Sequence, residues 1–250
     1  MRYAFLLLVL LFGNLHAADR VRLTNGEWPP YLGESLPHHG VASRIVEEAF
    51  ASQGIAVQWE FHPWARSLKM AEQGLRDGSA VWLNNPQRQQ HFHVSAPVVE
   101  SGYYLFHRKD DAFDWSGIDD LRGLRIAGTR GYDYGEAFQR AEAAGDLEVM
   151  RLTSDEQGLR QLLAGRVDLF PVDKVVGFDL LYQHFSLAER RRLSFHAKPL
   201  RSDSLHLLLS REVPGNAELM ARFNRGLEQL RASGKISQYL LEIQQPLSLY

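Results

Sequence analysis

Residues 21–24 alternate apolar and polar positions and predict a first strand. Gly26, Pro29, Pro30 and Gly33 then enforce a loop as far as Gly40. The period changes at Val41. Val41, Ile45, Val46, Ala49 and Phe50 recur at helical spacing, and Gly54 ends that helix. Residues 57–61 predict a second strand. Pro63 stands where a first helical residue is tolerated, and Leu68 and Ala71 carry that helix to Gly74. Residues 80–83 predict a third strand. Strand, loop, helix, strand, helix, strand is the order of a parallel sheet covered by helices.

The same alternation then repeats. Strands are predicted over 124–127, 147–152 and 167–172, with helices over 132–144, 154–164 and 174–183. Ser154 and Gln157 have capping-box spacing. Asp173 ends the last, continuously apolar strand. Two extended segments, 103–107 and 205–209, lead out of the first unit and back to it. The closing helices, 216–232 and 236–242, bring no strand, so they are expected to pack on the first unit. Lobe one is then discontinuous, 18–106 and 206–250, with lobe two, 107–205, inserted.

The first residues change where this reading begins. Arg2, the apolar run from Leu6 to Phe12 and the small pair Ala17-Ala18 have the layout of a secretory leader ending at residue 17. The run is too short to span a bilayer. The chain has no cysteine, so the exported part relies on burial rather than disulfides. Charge is nearly balanced: 28 Lys and Arg face 30 Asp and Glu, and loss of Arg2 moves the net from −2 to −3. That argues against a nucleic-acid partner. Arg190-Arg191-Arg192 is a local exception, expected to be a solvated turn after a helix.

Several short motifs now fall into order. Trp28-Pro29-Pro30-Tyr31 follows the first strand, and Pro86-Gln87-Arg88 follows the third. Val94-Ser95-Ala96-Pro97 comes next, then Gly165-Arg166-Val167-Asp168 through Asp173, then Ser233-Gly234-Lys235-Ile236 between the last helices. Together they resemble the bacterial extracellular solute-binding proteins of family 3, the amino-acid-binding components of ABC importers, over nearly all of the exported chain. The resemblance implies an α/β, two-lobed periplasmic-binding-protein fold of type II, with a ligand cleft between lobes. It also implies a periplasmic receptor that hands a small polar solute, an amino acid or a derivative, to an inner-membrane permease, with no catalysis and no cofactor; a monomer is expected because the lobes must move.

By that resemblance Arg88 receives the ligand's α-carboxylate. A guanidinium grips a carboxylate through two parallel charge-assisted hydrogen bonds. Asp173 would receive the α-ammonium from lobe two, although it is also placed to cap the helix that follows. Trp28, Tyr31 and Trp64 are candidate apolar walls. The loop Gly131-Tyr132-Asp133 precedes a predicted helix, whose N-terminus favours anions. Asp133 would repel a carboxylate, so an amine contact or a cap is the alternative there. Asn84-Asn85 replaces a hydroxyl-rich pair, and Ser43-Arg44 stands where the family carries an acid. Both departures leave the solute open, although Asn84 and Asn85 suit a polar one.

Other classes remain to be weighed. His38-His39 and His91-x-His93 raise the question of a metal, since residues two apart on a strand face one side. No carboxylate–histidine motif joins them. An enzyme on this scaffold, similar to cyclohexadienyl dehydratase, needs a cleft carboxylate as acid or base. Asp133, Glu100 and Asp173 are the candidates. A sensor module acting on a separate membrane receptor is the third reading.

Overall fold

The computed structural model describes residues 19–244. The leader expected over 1–17 lies outside the described residues. β1 (Asp19–Asn25) pairs in parallel with β2 (Ile55–Phe61) and with β3 (Gly78–Leu83). α1 (Val41–Ala51) and α2 (Trp64–Glu72) make the crossovers. α1 buries Val41, Ile45, Val46, Ala49 and Phe50, the positions its spacing marked. A short helix, α3 (Pro86–His91), leads into the strand that leaves this unit.

Two long antiparallel strands run through both lobes: β4 (Phe92–Arg108) and β8 (Leu193–Ser210). At one end β8 lies against β3, completing the order β2-β1-β3-β8-β4. At the other end β7 (Phe170–Asp173) pairs with β4 from Tyr103 to Phe106. Between these regions stand the pairs Ser101↔Asp203 and Gly102↔Ser202. The segments expected only over 103–107 and 205–209 are therefore parts of much longer strands. Register shifts around Pro97 and from Tyr103 to Phe106, opposite Pro199 and Phe195, interrupt their alternation.

Lobe two adds β5 (Arg125–Thr129) in parallel with β6 (Glu148–Leu152), and a bridge from Ile126 to Leu169 joins β5 to the chain entering β7. Its helices are α4 (Glu136–Ala143), α5 (Asp155–Leu163), α6 (Lys174–His184) and α7 (Leu187–Arg190). The helix expected from residue 132 begins four residues later. Gly135, at φ 103°, precedes its first turn, and the Asp133 carboxylate accepts the Gly135 amide at 2.8 Å, which stabilises a turn instead. Arg190 is not simply solvated: it donates to the carbonyls of Phe185 (2.7 Å) and Tyr182 (2.6 Å) and so closes the end of α6.

The last helices, α8 (Asn216–Ala232) and α9 (Lys235–Gln244), pack on lobe one. Phe223 meets Phe50 of α1 with ring centroids 4.8 Å apart. Gly226 lets the two helices touch: a β-carbon there would fall 2.0 Å from the Ala49 carbonyl oxygen.

The motif ending in Asp168 is a staple. Its carboxylate accepts the Arg125 amide (3.0 Å), Arg125 Nε (3.0 Å) and Nη2 (2.6 Å), and Arg108 Nη2 (3.3 Å). Arg108 also donates to the carbonyls of Leu162 and Val167. Hydrogen bonds from Arg125 hold the Asp168 carboxyl down at about 2. A depressed acid stabilises the fold above its unfolded value, and that gain is lost as pH falls through the folded value. Asp168→Asn is expected to cost about 1–2 kcal/mol at neutral pH, allowing for partial solvent screening. The gap from the parent should narrow from about pH 4 towards pH 2 in chemical denaturation.

Candidate functional site

A cavity of about 330 Å³ lies between the lobes. Lobe one supplies Trp28, Trp64, the end of β3 (Val81, Trp82 and Leu83) and Arg88. Lobe two supplies the turn Arg130-Gly131-Tyr132 after β5, and Tyr103 lines it from β4 where that strand begins to pair with β7. Ser101, Asp203 and Leu205 line it from the crossing strands. Both contributing turns follow the C-terminal ends of parallel strands, where open α/β sheets place ligands.

The walls are largely aromatic. Trp64 meets Trp82 edge-on at 5.0 Å between centroids. Gly26 makes room for Trp64, since a β-carbon there would lie 2.3 Å from the indole. Trp28 stacks on Tyr31 at 4.6 Å. Tyr103 and Tyr132 meet edge-on at 6.1 Å across the lobe-two wall.

Arg88 is half-buried among these rings. Asn85 caps α3 by accepting the Arg88 amide at 2.8 Å, and Pro86 fits the first turn. The guanidinium donates Nη1 to the Leu83 carbonyl at 2.5 Å and lies 4.8 Å from the Trp82 ring. Among the described residues no carboxylate pairs with it, and burial pushes its pKa below the ordinary value. Arginine remains protonated all the same. The result is a partly desolvated cation lining a largely aromatic cleft.

Several expected residues stand elsewhere. Tyr31 is buried behind Trp28, 2 % exposed, with its hydroxyl 3.5 Å from an Asp173 oxygen. Asn84 accepts a bond from the Gln89 side chain at 3.0 Å, and Asn85 serves as the cap. Asp133 pairs with Arg201 at 2.9 Å, outside the cavity. The Gly131 loop is no helix N-terminus, because α4 starts later, and the Tyr132 amide is already bonded to the Thr129 carbonyl at 3.2 Å.

Asp173 is also outside the lining and only 2 % exposed. One carboxylate oxygen accepts the amides of Val175 (2.9 Å) and Val176 (3.1 Å) as the N-cap of α6. The other accepts Ser101 Oγ (2.8 Å) and the Gly102 amide (3.1 Å) on β4. Burial nevertheless raises its pKa. Glu100 is exposed and accepts the Ser204 hydroxyl at 2.9 and 3.0 Å. None of the three carboxylates weighed as a general acid or base lines the cavity.

His38 and His39 form a left-handed turn, φ 53° and 56°. His91 pairs with Glu72 at 3.5 Å. Burial lowers the pKa of His93. No three metal-capable side chains cluster among the described residues.

Sequence reasoning missed Trp82, Arg130, Ser101, Tyr103 and Asp203 as lining residues. A larger groove, about 750 Å³, is lined by Trp115, Tyr134, Lys198 and Arg201, all from lobe two.

A cleft between two lobes joined by two continuous strands, with Arg88 on one wall, is the layout of proteins that close around a small ligand. The chain belongs to the bacterial extracellular solute-binding proteins, family 3, whose profile matches residues 22–242. No curated protein matches it closely enough to be paired with it. Among solved structures it resembles a histidine kinase sensor domain with similarity to periplasmic binding proteins. They share 21 % identity and a TM-score of 0.70, over 90 % of this chain and 96 % of the other. It also resembles an ancestral arginine-binding protein bound to arginine, at 16 % identity and TM-score 0.69, over 91 % and 99 %. A third is substrate-binding domain 2 of Lactococcus lactis GlnP in an open conformation, at 18 % identity and TM-score 0.68, over 88 % and 93 %. At these identities the likeness speaks for the fold alone.

Proposed function

We propose that this chain is a periplasmic solute receptor for an amino acid or a derivative of one, clamped by closure of the lobes and passed to an inner-membrane ABC permease. The observation that carries this reading is Arg88: a partly desolvated guanidinium, without a carboxylate partner among the described residues, facing an aromatic cleft. Leaving a cation in such a place is costly, and an incoming carboxylate removes the cost. The lobes supply different walls, so only a closed form satisfies a ligand on both sides. That difference in contacts is what drives closure. Two charge-assisted hydrogen bonds and aromatic contact suffice for micromolar affinity, roughly −8 kcal/mol. Asp133, Glu100 and Asp173 stand outside the lining, and the one acid inside it, Asp203, is paired with Arg201, which favours binding over catalysis.

A thermal-shift screen of the exported chain against amino acids and small carboxylates tests this. At a hundredfold excess over Kd, a ligand specific for the folded state adds about 2.7 kcal/mol. For a chain of this size that is a rise of roughly 5–10 °C. No rise with any carboxylate-bearing solute refutes the receptor reading.

A further inference from the structure

The charges around the cleft are unequal in a way that defines its ligand. Arg88 faces it from lobe one and Arg130 from lobe two. Arg130 is exposed, and its side chain makes one hydrogen bond, Nε to the Arg151 carbonyl at 3.3 Å. Neither arginine has an ion-pair partner among the described residues. The carboxylates nearby are all committed. Asp203, the one acid in the lining, is held by the guanidinium of Arg201, with Nη2 to Oδ1 at 3.0 Å. Asp173 is filled by Ser101, Gly102, Val175 and Val176. Asp155 receives Thr129 Oγ1 at 2.5 Å and the Tyr132 hydroxyl at 3.4 Å.

We infer that the cleft takes a ligand with two acidic groups and an apolar or aromatic body, one acid on Arg88 and the other on Arg130, and makes no use of a free ammonium. This rests on the reading of the cleft as the solute site and narrows the proposed solute from amino acids and their derivatives to a derivative without a free amine. A zwitterion would satisfy one arginine and bring its ammonium towards the other, with no open carboxylate to offset the repulsion. The apolar body fits between Trp28, Trp64 and Trp82 on one side and Tyr103 and Tyr132 on the other. The volume, about 330 Å³, suits a compact ligand.

Isothermal titration of the exported chain with three probes of similar body tests it: L-phenylalanine (a zwitterion), 3-phenylpropionate (one acid, no amine) and phenylsuccinate (two acids). Phenylsuccinate is expected to bind about tenfold or more tighter than 3-phenylpropionate, the effect of one added charge-assisted bond. L-phenylalanine should bind weakest. Arg130→Gln should abolish the advantage of the second acid, weakening phenylsuccinate by much more than 3-phenylpropionate. Tightest binding by L-phenylalanine, or an Arg130→Gln variant that retains the preference for phenylsuccinate, overturns the charge assignment and leaves the receptor reading standing. Binding of no probe and of no solute in the wider screen overturns both.

Discussion

Arg88→Ala is expected to weaken binding of a carboxylate ligand by roughly a hundredfold, through loss of two charge-assisted hydrogen bonds of about 1.5 kcal/mol each or somewhat more. The unliganded protein should scarcely notice. In the free state the guanidinium has one hydrogen bond, to the Leu83 carbonyl, and a contact with Trp82, against the cost of being half-buried without a counter-charge. The melting temperature without ligand should therefore move by no more than about 2 °C, while the rise on adding ligand disappears. Arg88→Lys separates charge from geometry. An ammonium retains the attraction but not the planar fork, so recovery of a minor part of the affinity is expected. Full recovery by lysine would mean that Arg88 acts as a point charge and does not grip the carboxylate. Unchanged affinity in the alanine variant would remove Arg88 from the site.

The place of Arg88 in the cleft lining was legible in the sequence because its neighbours constrain it. Pro86 starts a turn, Asn85 caps it, and the cap holds the Arg88 amide itself. Trp28, Trp64, Gly131 and Tyr132 were legible for a similar reason: glycine or proline beside them marks turns after strands, and such turns open on the crevice. The remaining lining residues were hidden by ordinary patterns. Trp82 belongs to an apolar run that predicts a strand and nothing more. Arg130 is one more arginine in a chain with many. Ser101 and Tyr103 lie on β4, whose extent was missed because bulges break the alternation that would reveal it.

Local turns in both lobes explain the misplaced residues as well. Asp133 looked like part of a helix N-terminus, but its carboxylate stabilises a turn that delays the helix and then pairs with Arg201. Tyr31 was legible as an aromatic beside two prolines. Its burial was not, because that depends on Gly40: a β-carbon there would fall 2.4 Å from the Tyr31 carbonyl oxygen. Spacing shows which residues share a loop. Which of them faces the cleft is decided by close approaches of this kind, made by residues far away in sequence or by backbone that carries no pattern.

Asp173→Ala is expected to be the most destabilising change in the cleft region, about 3–4 kcal/mol, or a fall of roughly 8–12 °C in Tm. The cap of α6 contributes about 1 kcal/mol of this. The rest comes from the Ser101 hydroxyl and the Gly102 amide, left buried without an acceptor where the two lobes meet. Asp173→Asn preserves one oxygen and should cost only about 1–2 kcal/mol, since the Ser101 hydroxyl can turn to accept while the Gly102 amide cannot. The two forms also differ in pH response. Burial raises the Asp173 carboxyl, so its contribution to stability is fully present below the unfolded value and is lost as pH rises through the folded one. Asparagine does not titrate. The deficit of Asp173→Asn relative to the parent should therefore shrink as pH rises, which urea midpoints at several pH values would measure. The same variant separates the two roles of this residue. As a lobe-joining cap it should leave ligand affinity within about threefold, whereas a direct contact to a ligand ammonium would lose tenfold or more. A tenfold loss at modest cost in stability would restore Asp173 to the binding surface and overturn the view of it as the bolt between α6 and β4.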